Sequence, residues 1–213
     1  MDSMNNDILS RLLKEAISDA DLSISDIPSI DLYLDQILSL VSDKNAEGSQ
    51  CYRDRALTKT MINNYSKEGA ILPIKGKKYN KQQILQILFI YSLKNTLSIG
   101  EIKRMFEGAY RIEGFGEKEF SALWEDYLSI KTNSRACVSE ICESMIKECE
   151  LDLEKDEDYI RVILGIVSLS SYFRTMAQLM IEDRFPKEVV SPKEEKPQKE
   201  KKKKEKNASS SAE

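Results

Sequence analysis

Three helix starts stand in close succession between Leu57 and Phe106, and they restrict this chain to a small set of folds. Thr58 can cap a helix with Leu57 and Ile62 as the flanking apolar pair; Asn80 can cap the next, with Gln83 three residues on and Tyr79 and Ile84 beside it. Ser98 with Glu101 completes a Ser-x-x-Glu capping box between Leu97 and Ile102. The stretch Gly69-Ala70-Ile71-Leu72-Pro73-Ile74-Lys75-Gly76-Lys77-Lys78-Tyr79 between the first two starts is too short for a helix. Framed by glycines, it is expected to form two antiparallel strands turning near Lys75-Gly76.

Around this segment the pattern is helical. Ile8, Leu12, Leu13, Ala16 and Ile17 share one stripe of a helix at about 4 to 19, which could pack on its own domain or on a partner. Ile30, Leu34, Ile37, Leu38 and Val41 predict a helix at 28 to 43, with Pro28 in its first turn. The stretch 43 to 55 reads as a loop. After Tyr110 the sequence Glu113-Gly114-Phe115-Gly116-Glu117 reads as a domain boundary, and helices are expected at 117 to 130, 133 to 153 and 156 to 183. With eight glycines and five prolines in 213 residues, nothing interrupts these helices often. The fold class expected is all-α, mainly helical, with a short β-hairpin.

Charge is segregated more sharply than the net value of -4 suggests. Residues 1 to 50 carry 3 basic and 10 acidic side chains, a balance of -7, and residues 111 to 184 carry 9 and 16, again -7. Residues 53 to 81 carry 8 basic side chains (Arg53, Arg55, Lys59, Lys67, Lys75, Lys77, Lys78, Lys81) and 2 acidic ones, a balance of +6. A polyanion could approach this island and would be repelled elsewhere.

Several function classes recede on composition. The chain has no histidine, which removes the commonest general base and metal ligand, and its four cysteines have no paired spacing. Cys137, Cys142 and Cys149 read as small apolar side chains rather than as metal ligands, and Asp156-Glu157-Asp158 suits a helix N-terminus rather than catalysis. No catalytic residue, metal site or cofactor is assigned, and the chain is expected not to be an enzyme. The longest uncharged stretches, Gln82 to Leu93 and Val162 to Phe173, hold about twelve residues each, short of the roughly 20 that span a bilayer. No secretory signal opens the chain. The expected location is the cytoplasm, with no membrane partner.

Met61-Ile62-Asn63-Asn64-Tyr65, Glu68-Gly69-Ala70-Ile71-Leu72-Pro73, Lys77-Lys78-Tyr79 and Leu97-Ser98-Ile99-Gly100-Glu101-Ile102 occur in the order and spacing of a recognition helix, a wing entry, a wing exit and a fourth helix. In this the chain resembles the MerR-type winged helix-turn-helix transcriptional regulators. Asn63 stands where those regulators carry an arginine, and the stretch before Thr58 is longer than their turn. Asp31-Leu32-Tyr33-Leu34-Asp35-Gln36 and Thr58 to Tyr65, together with Lys77-Lys78-Tyr79, are also similar to an uncharacterised bacterial family known as a domain of unknown function (DUF1836). By periodicity an N-terminal amphipathic helix segment covers 1 to 27, and a C-terminal helical, possible dimerisation region covers 113 to 185. Between them the resemblance implies a winged helix-turn-helix domain over 28 to 112. Its partner would be double-stranded DNA.

In that reading Lys59, Thr60, Asn63, Asn64 and Lys67 share the exposed face of helix 58 to 68, while Lys75, Lys77 and Lys78 tip the wing at 70 to 79. Cations set affinity through phosphates, and an asparagine can pair with adenine. Tyr65 and Tyr79 are either phosphate contacts or core anchors, and the wing lysines could instead guard an exposed strand. Tyr159, Ile166, Phe173 and Met180 recur every seven residues, a seam that packs on its own bundle or on a second subunit. A dimer would suit a two-fold symmetric DNA site. The alternative function is a non-catalytic helical adaptor gripping a protein partner. Residues 186 to 213, rich in Lys, Glu and Ser, read as a disordered tail. No effector is indicated.

Overall fold

A computed structural model describes residues 2–187; the expected tail from 188 onward lies outside the described residues, and side chains are described from Asp7. The chain is mainly helical, with eight α-helices and one two-stranded antiparallel ladder among the described residues. The helices are α1 (Asp2–Ala16), α2 (Leu34–Asn45), α3 (Gln50–Arg53), α4 (Lys59–Lys67), α5 (Lys81–Leu93), α6 (Ile99–Tyr110), α7 (Glu117–Glu148) and α8 (Asp156–Arg184). The strands are β1 (Leu32–Tyr33) and β2 (Lys78–Tyr79), paired Leu32 to Tyr79 and Tyr33 to Lys78.

The three caps form as the residues dictate. Thr58 Oγ1 accepts the Met61 amide at 3.2 Å, and Asn80 Oδ1 accepts that of Gln83 at 2.9 Å. Ser98 Oγ accepts the Glu101 amide at 3.3 Å, while the Glu101 carboxylate accepts the Ser98 amide at 2.7 Å. Each cap satisfies amides at a helix start that have no partner within the helix.

Helix α5 is largely apolar and becomes the hub. Ile84, Leu85, Ile87, Leu88, Phe89 and Ile90 are all buried. Phe89 meets Phe106, Phe120 and Trp124 at ring-centroid distances of 5.8, 5.4 and 4.7 Å, mostly edge to face. Phe120 and Trp124 lie on α7, so this core continues across the glycine loop at 113–117. A second, smaller core joins Leu9 of α1, Cys142 and Ile146 of α7, and Leu153 and Val162 around the start of α8.

Three element boundaries differ from the sequence reading. The expected helix at 28 to 43 begins only at Leu34, because Leu32 and Tyr33 are drawn into the ladder and Gln36 Oε1 takes the Tyr33 amide at 2.8 Å. The helices expected at 117 to 130 and 133 to 153 are one. Thr132 and Ser134 do not break α7, since their hydroxyls donate back to the Leu128 and Ile130 carbonyls at 2.9 and 2.8 Å. Within the expected loop at 43 to 55, α3 and its flanks close the open end of α1. The Ser49 hydroxyl donates to the Glu15 carbonyl at 2.7 Å, and the Tyr52 hydroxyl donates to that of Ala16.

The hairpin expected within 70 to 79 does not form. Its inner edge is already occupied: the Leu72 amide donates to Gln86 Oε1 at 2.9 Å, and Gln83 Nε2 donates to the Leu72 and Pro73 carbonyls at 3.3 and 2.9 Å. Only Lys78 and Tyr79 remain to pair, and they pair with β1. Gly76, at φ 82, supplies the turn that brings them there.

Candidate nucleic-acid interface

Helix α4 divides cleanly into two faces. Ile62 and Tyr65 are buried, while Lys59, Thr60, Asn63, Asn64 and Lys67 are exposed. The helix ends in a left-handed residue, Gly69 at φ 68, with the Gly69 amide on the Ser66 carbonyl at 3.1 Å and the Ala70 amide on that of Tyr65 at 2.9 Å. This paired closure turns the chain out of the helix without stranding its last carbonyls. Lys103 of α6 reaches the Glu68 carbonyl at 3.1 Å, so the C-terminal end is held from outside as well.

Lys75, Lys77 and Lys78 are exposed on the segment leading into β2, and the Lys78 ammonium lies 5.0 Å from the Tyr33 ring centroid. Lys59 pairs with Asp35 at 2.7 Å. Residues 33 to 35 therefore join the start of α4 to β2, which brings the two groups of sequence-selected cations onto one neighbourhood. Tyr33 and Asp35 belong to the stretch that carries the family resemblance, but the sequence did not place them beside the basic residues. They lie more than twenty residues upstream of α4, and only the ladder with β2 reveals their proximity.

Tyr65 and Tyr79 are core anchors, 5% and 6% exposed, and neither ring reaches the surface on which a phosphate could lie. Burial raises both hydroxyl pKa values above the ordinary phenol value, and the Tyr65 hydroxyl has no hydrogen-bond partner. Both rings belong to the first core.

The pairing of charges separates this surface from the rest of the molecule. Of the eight cations between Arg53 and Lys81, Lys59 alone pairs with a carboxylate among the described residues. Elsewhere several cations are paired: Arg104 holds Glu182, Arg135 holds Asp19, and Lys131 bridges Asp19 and Asp21. Apart from Lys59, the island thus presents positive charge without an internal carboxylate partner among the described residues.

On α8 the seven-residue seam splits. Tyr159 and Val162 pack in the second core, whereas Ile166, Phe173 and Met180 are 42%, 61% and 64% exposed. Ile163, Leu164, Val167, Tyr172, Met176 and Leu179 are exposed too. Of the three cysteines read as apolar, Cys142 alone is buried, and burial raises its thiol pKa; Cys137 and Cys149 are exposed on the surface of α7 and its end.

The unit defined by this geometry is a small helical domain, built on α5, that carries a basic surface. Residues 22–127 match the family described as Domain of unknown function (DUF1836). The match begins at Leu22, whose carbonyl accepts the Trp124 indole at 2.8 Å, and ends at Tyr127, against the aromatic cluster. It therefore coincides with the first core. No curated protein and no solved structure matches the chain.

Proposed function

We propose that this chain is a cytoplasmic, non-catalytic, sequence-specific DNA-binding regulator, in which residues 28 to 112 act as a winged helix-turn-helix of MerR type. Helix α4 would enter the major groove, and the segment at 70 to 79 would meet phosphates or the minor groove. One observation carries the reading: among the exposed cations of α4 and the adjoining segment, Lys59 pairs with Asp35, while Lys67, Lys75, Lys77 and Lys78 have no carboxylate partner among the described residues. Unpaired lysines on one neighbourhood give a folded protein no internal benefit and release counterions when they meet a phosphate backbone. Asn63 and Asn64, exposed between Lys59 and Lys67, have the amide geometry that pairs with adenine.

Fluorescence anisotropy on genomic fragments tests this at several salt concentrations. Affinity should fall with salt at about 0.9 log units per phosphate contact. Replacing both Lys77 and Lys78 by glutamate should weaken binding roughly 100-fold near physiological salt and make the salt slope shallower by about two. Unchanged affinity in that variant would remove the wing from the interface.

A homodimer through α8 belongs to the same proposal. Between Arg161 and Glu182 a single charge, Arg174, interrupts the helix, which is long and apolar enough by length and composition to cross a membrane. Both ends are nevertheless pinned to the same body: Val162 lies in one core, Ile181 in the other, and Arg104 holds Glu182 at 2.6 Å. Insertion across a bilayer would tear one end away, whereas a second copy can cover the free side as it stands. Sedimentation at micromolar concentration should return a dimer for the native chain and a monomer of unchanged helicity for Val167→Glu with Phe173→Glu. Flotation of the native chain with lipid vesicles would contradict it. The second reading, a helical adaptor, draws on the same α8 face, with a different protein occupying it.

A further inference from the structure

Beyond the basic surface, a cleft of about 380 Å³ opens between α3, the start of α4, the end of α5 and α7. Its size is that of a small-ligand site. Three tyrosine rings, Tyr52, Tyr91 and Tyr127, contribute flat walls.

The charges of the cleft are unevenly matched. On one wall Asp19 and Asp21 are held by Lys131 and Arg135, at 2.6 Å for Lys131 to Asp21 and 2.7 Å for Arg135 to Asp19. On the other, Arg55 and Lys94 line the cleft and have no carboxylate partner among the described residues. The Arg55 guanidinium rests 4.4 Å over the Tyr52 ring, and the Lys94 ammonium, 5.5 Å from the Tyr91 ring centroid, has only the Met61 sulfur at 3.3 Å as acceptor. Burial, and then the Arg55 charge, hold the Lys94 pKa below its ordinary value. Two facing cations of this kind are stabilised by whatever anion settles between them. The Asn45 Nδ2 group donates to the Arg55 carbonyl at 2.8 Å and to the Tyr91 hydroxyl at 2.7 Å, which ties the residues of this wall together.

We propose that this cleft binds a small organic anion, a carboxylate or phosphate on a flat apolar body, held between Arg55 and Lys94 and stacked against the tyrosine walls. Met61 belongs to α4, so an anion that draws the Lys94 ammonium off the Met61 sulfur reports its presence to that helix. This link to regulation rests on α4 being the reading helix; the binding site itself does not.

The test measures binding to the full-length protein without DNA, by calorimetric titration and by thermal unfolding at constant ionic strength. The probes are benzoate, phenyl phosphate, acetate, inorganic phosphate and neutral phenol. Benzoate or phenyl phosphate should raise Tm by about 4 °C at saturation, acetate and inorganic phosphate by less, and phenol not at all. Lys94→Met and Arg55→Gln should each weaken the effective probe at least tenfold, and Lys94→Arg should retain it. Because Arg55 is exposed, its variant keeps the test usable should Lys94→Met fold poorly. Equal response of variants and native chain, or no response to any anion, overturns the proposal. Loss of DNA affinity in Lys94→Met without binding of any probe would also overturn it, and would assign the two cations to the DNA surface instead.

Discussion

Trp124→Ala is expected to destabilise the protein by about 4 kcal/mol, at the upper end of what a single core truncation costs. The indole, the chain's only one, is 1% exposed and touches Phe89 and Tyr127 at ring-centroid distances of 4.7 and 5.4 Å. Truncation removes these edge contacts and leaves a cavity, because α5 and α7 are fixed by other residues and cannot collapse into it. It also strands the Leu22 carbonyl, which accepts the indole nitrogen at 2.8 Å. Trp124→Phe keeps most of the ring and loses that hydrogen bond, so its cost should be about half as large. Urea unfolding followed by far-ultraviolet circular dichroism measures both. A loss below about 1 kcal/mol for the alanine variant would mean that α7 is not integral to the first core.

That core was legible only in part. The caps at Thr58, Asn80 and Ser98 could be read because each is a local bargain between a side chain and an amide three residues on. The helix after Asn80 was likewise legible, since the stretch from Gln82 to Leu93 carries no charge. Long-range pairing left no such mark. Nothing in Leu32-Tyr33 specifies Lys78-Tyr79 as partner, and the hairpin expected at 70 to 79 fails because two glutamines of α5 take its backbone first. The same blindness fused α7, where hydroxyl groups that could have ended the helix bonded back within it.

For the candidate interface, sequence position was a good guide to charge and a poor one to depth. Lys59, Thr60, Asn63, Asn64 and Lys67 emerge together because a nine-residue helix with Ile62 and Tyr65 inside has only one way to face outward. The tyrosines could not be assigned, since a ring with a hydroxyl suits core and surface alike until its neighbours are known. Lys94 was overlooked for the opposite reason. A single lysine at the end of an apolar helix carries no pattern, and its significance comes from Arg55 and Met61, which reach it through the fold.

Lys131→Met is expected to cost about 3 kcal/mol at neutral pH, the second largest effect, and the cost should disappear in acid. Burial works against the charge of Asp19, but hydrogen bonds and attraction from Lys131 and Arg135 outweigh it and hold the carboxyl below its ordinary pKa. Burial also works against Lys131, and Asp19 and Asp21 outweigh it in turn, raising the amine above its ordinary value. The lowered carboxyl contributes stability that is present above its unfolded pKa of about 3.9 and is lost as pH falls through the folded value. The raised amine contributes stability that is complete below about 10.4 and is lost as pH rises through its folded value. Both contributions are therefore present from about pH 4 to 10. Methionine preserves the apolar length of the side chain but leaves two part-buried carboxylates with Arg135 as the remaining cation on Asp19. As pH falls through the folded value of Asp19, which lies below the ordinary carboxyl value, that carboxylate takes up its proton and needs no counter-charge, so native and variant stabilities should converge. Urea midpoints at about pH 7 and about pH 2 decide the matter. A deficit of the same size at both would trace the loss to packing of the lysine stem and not to the ion pairs that tie the segment after α1 to α7.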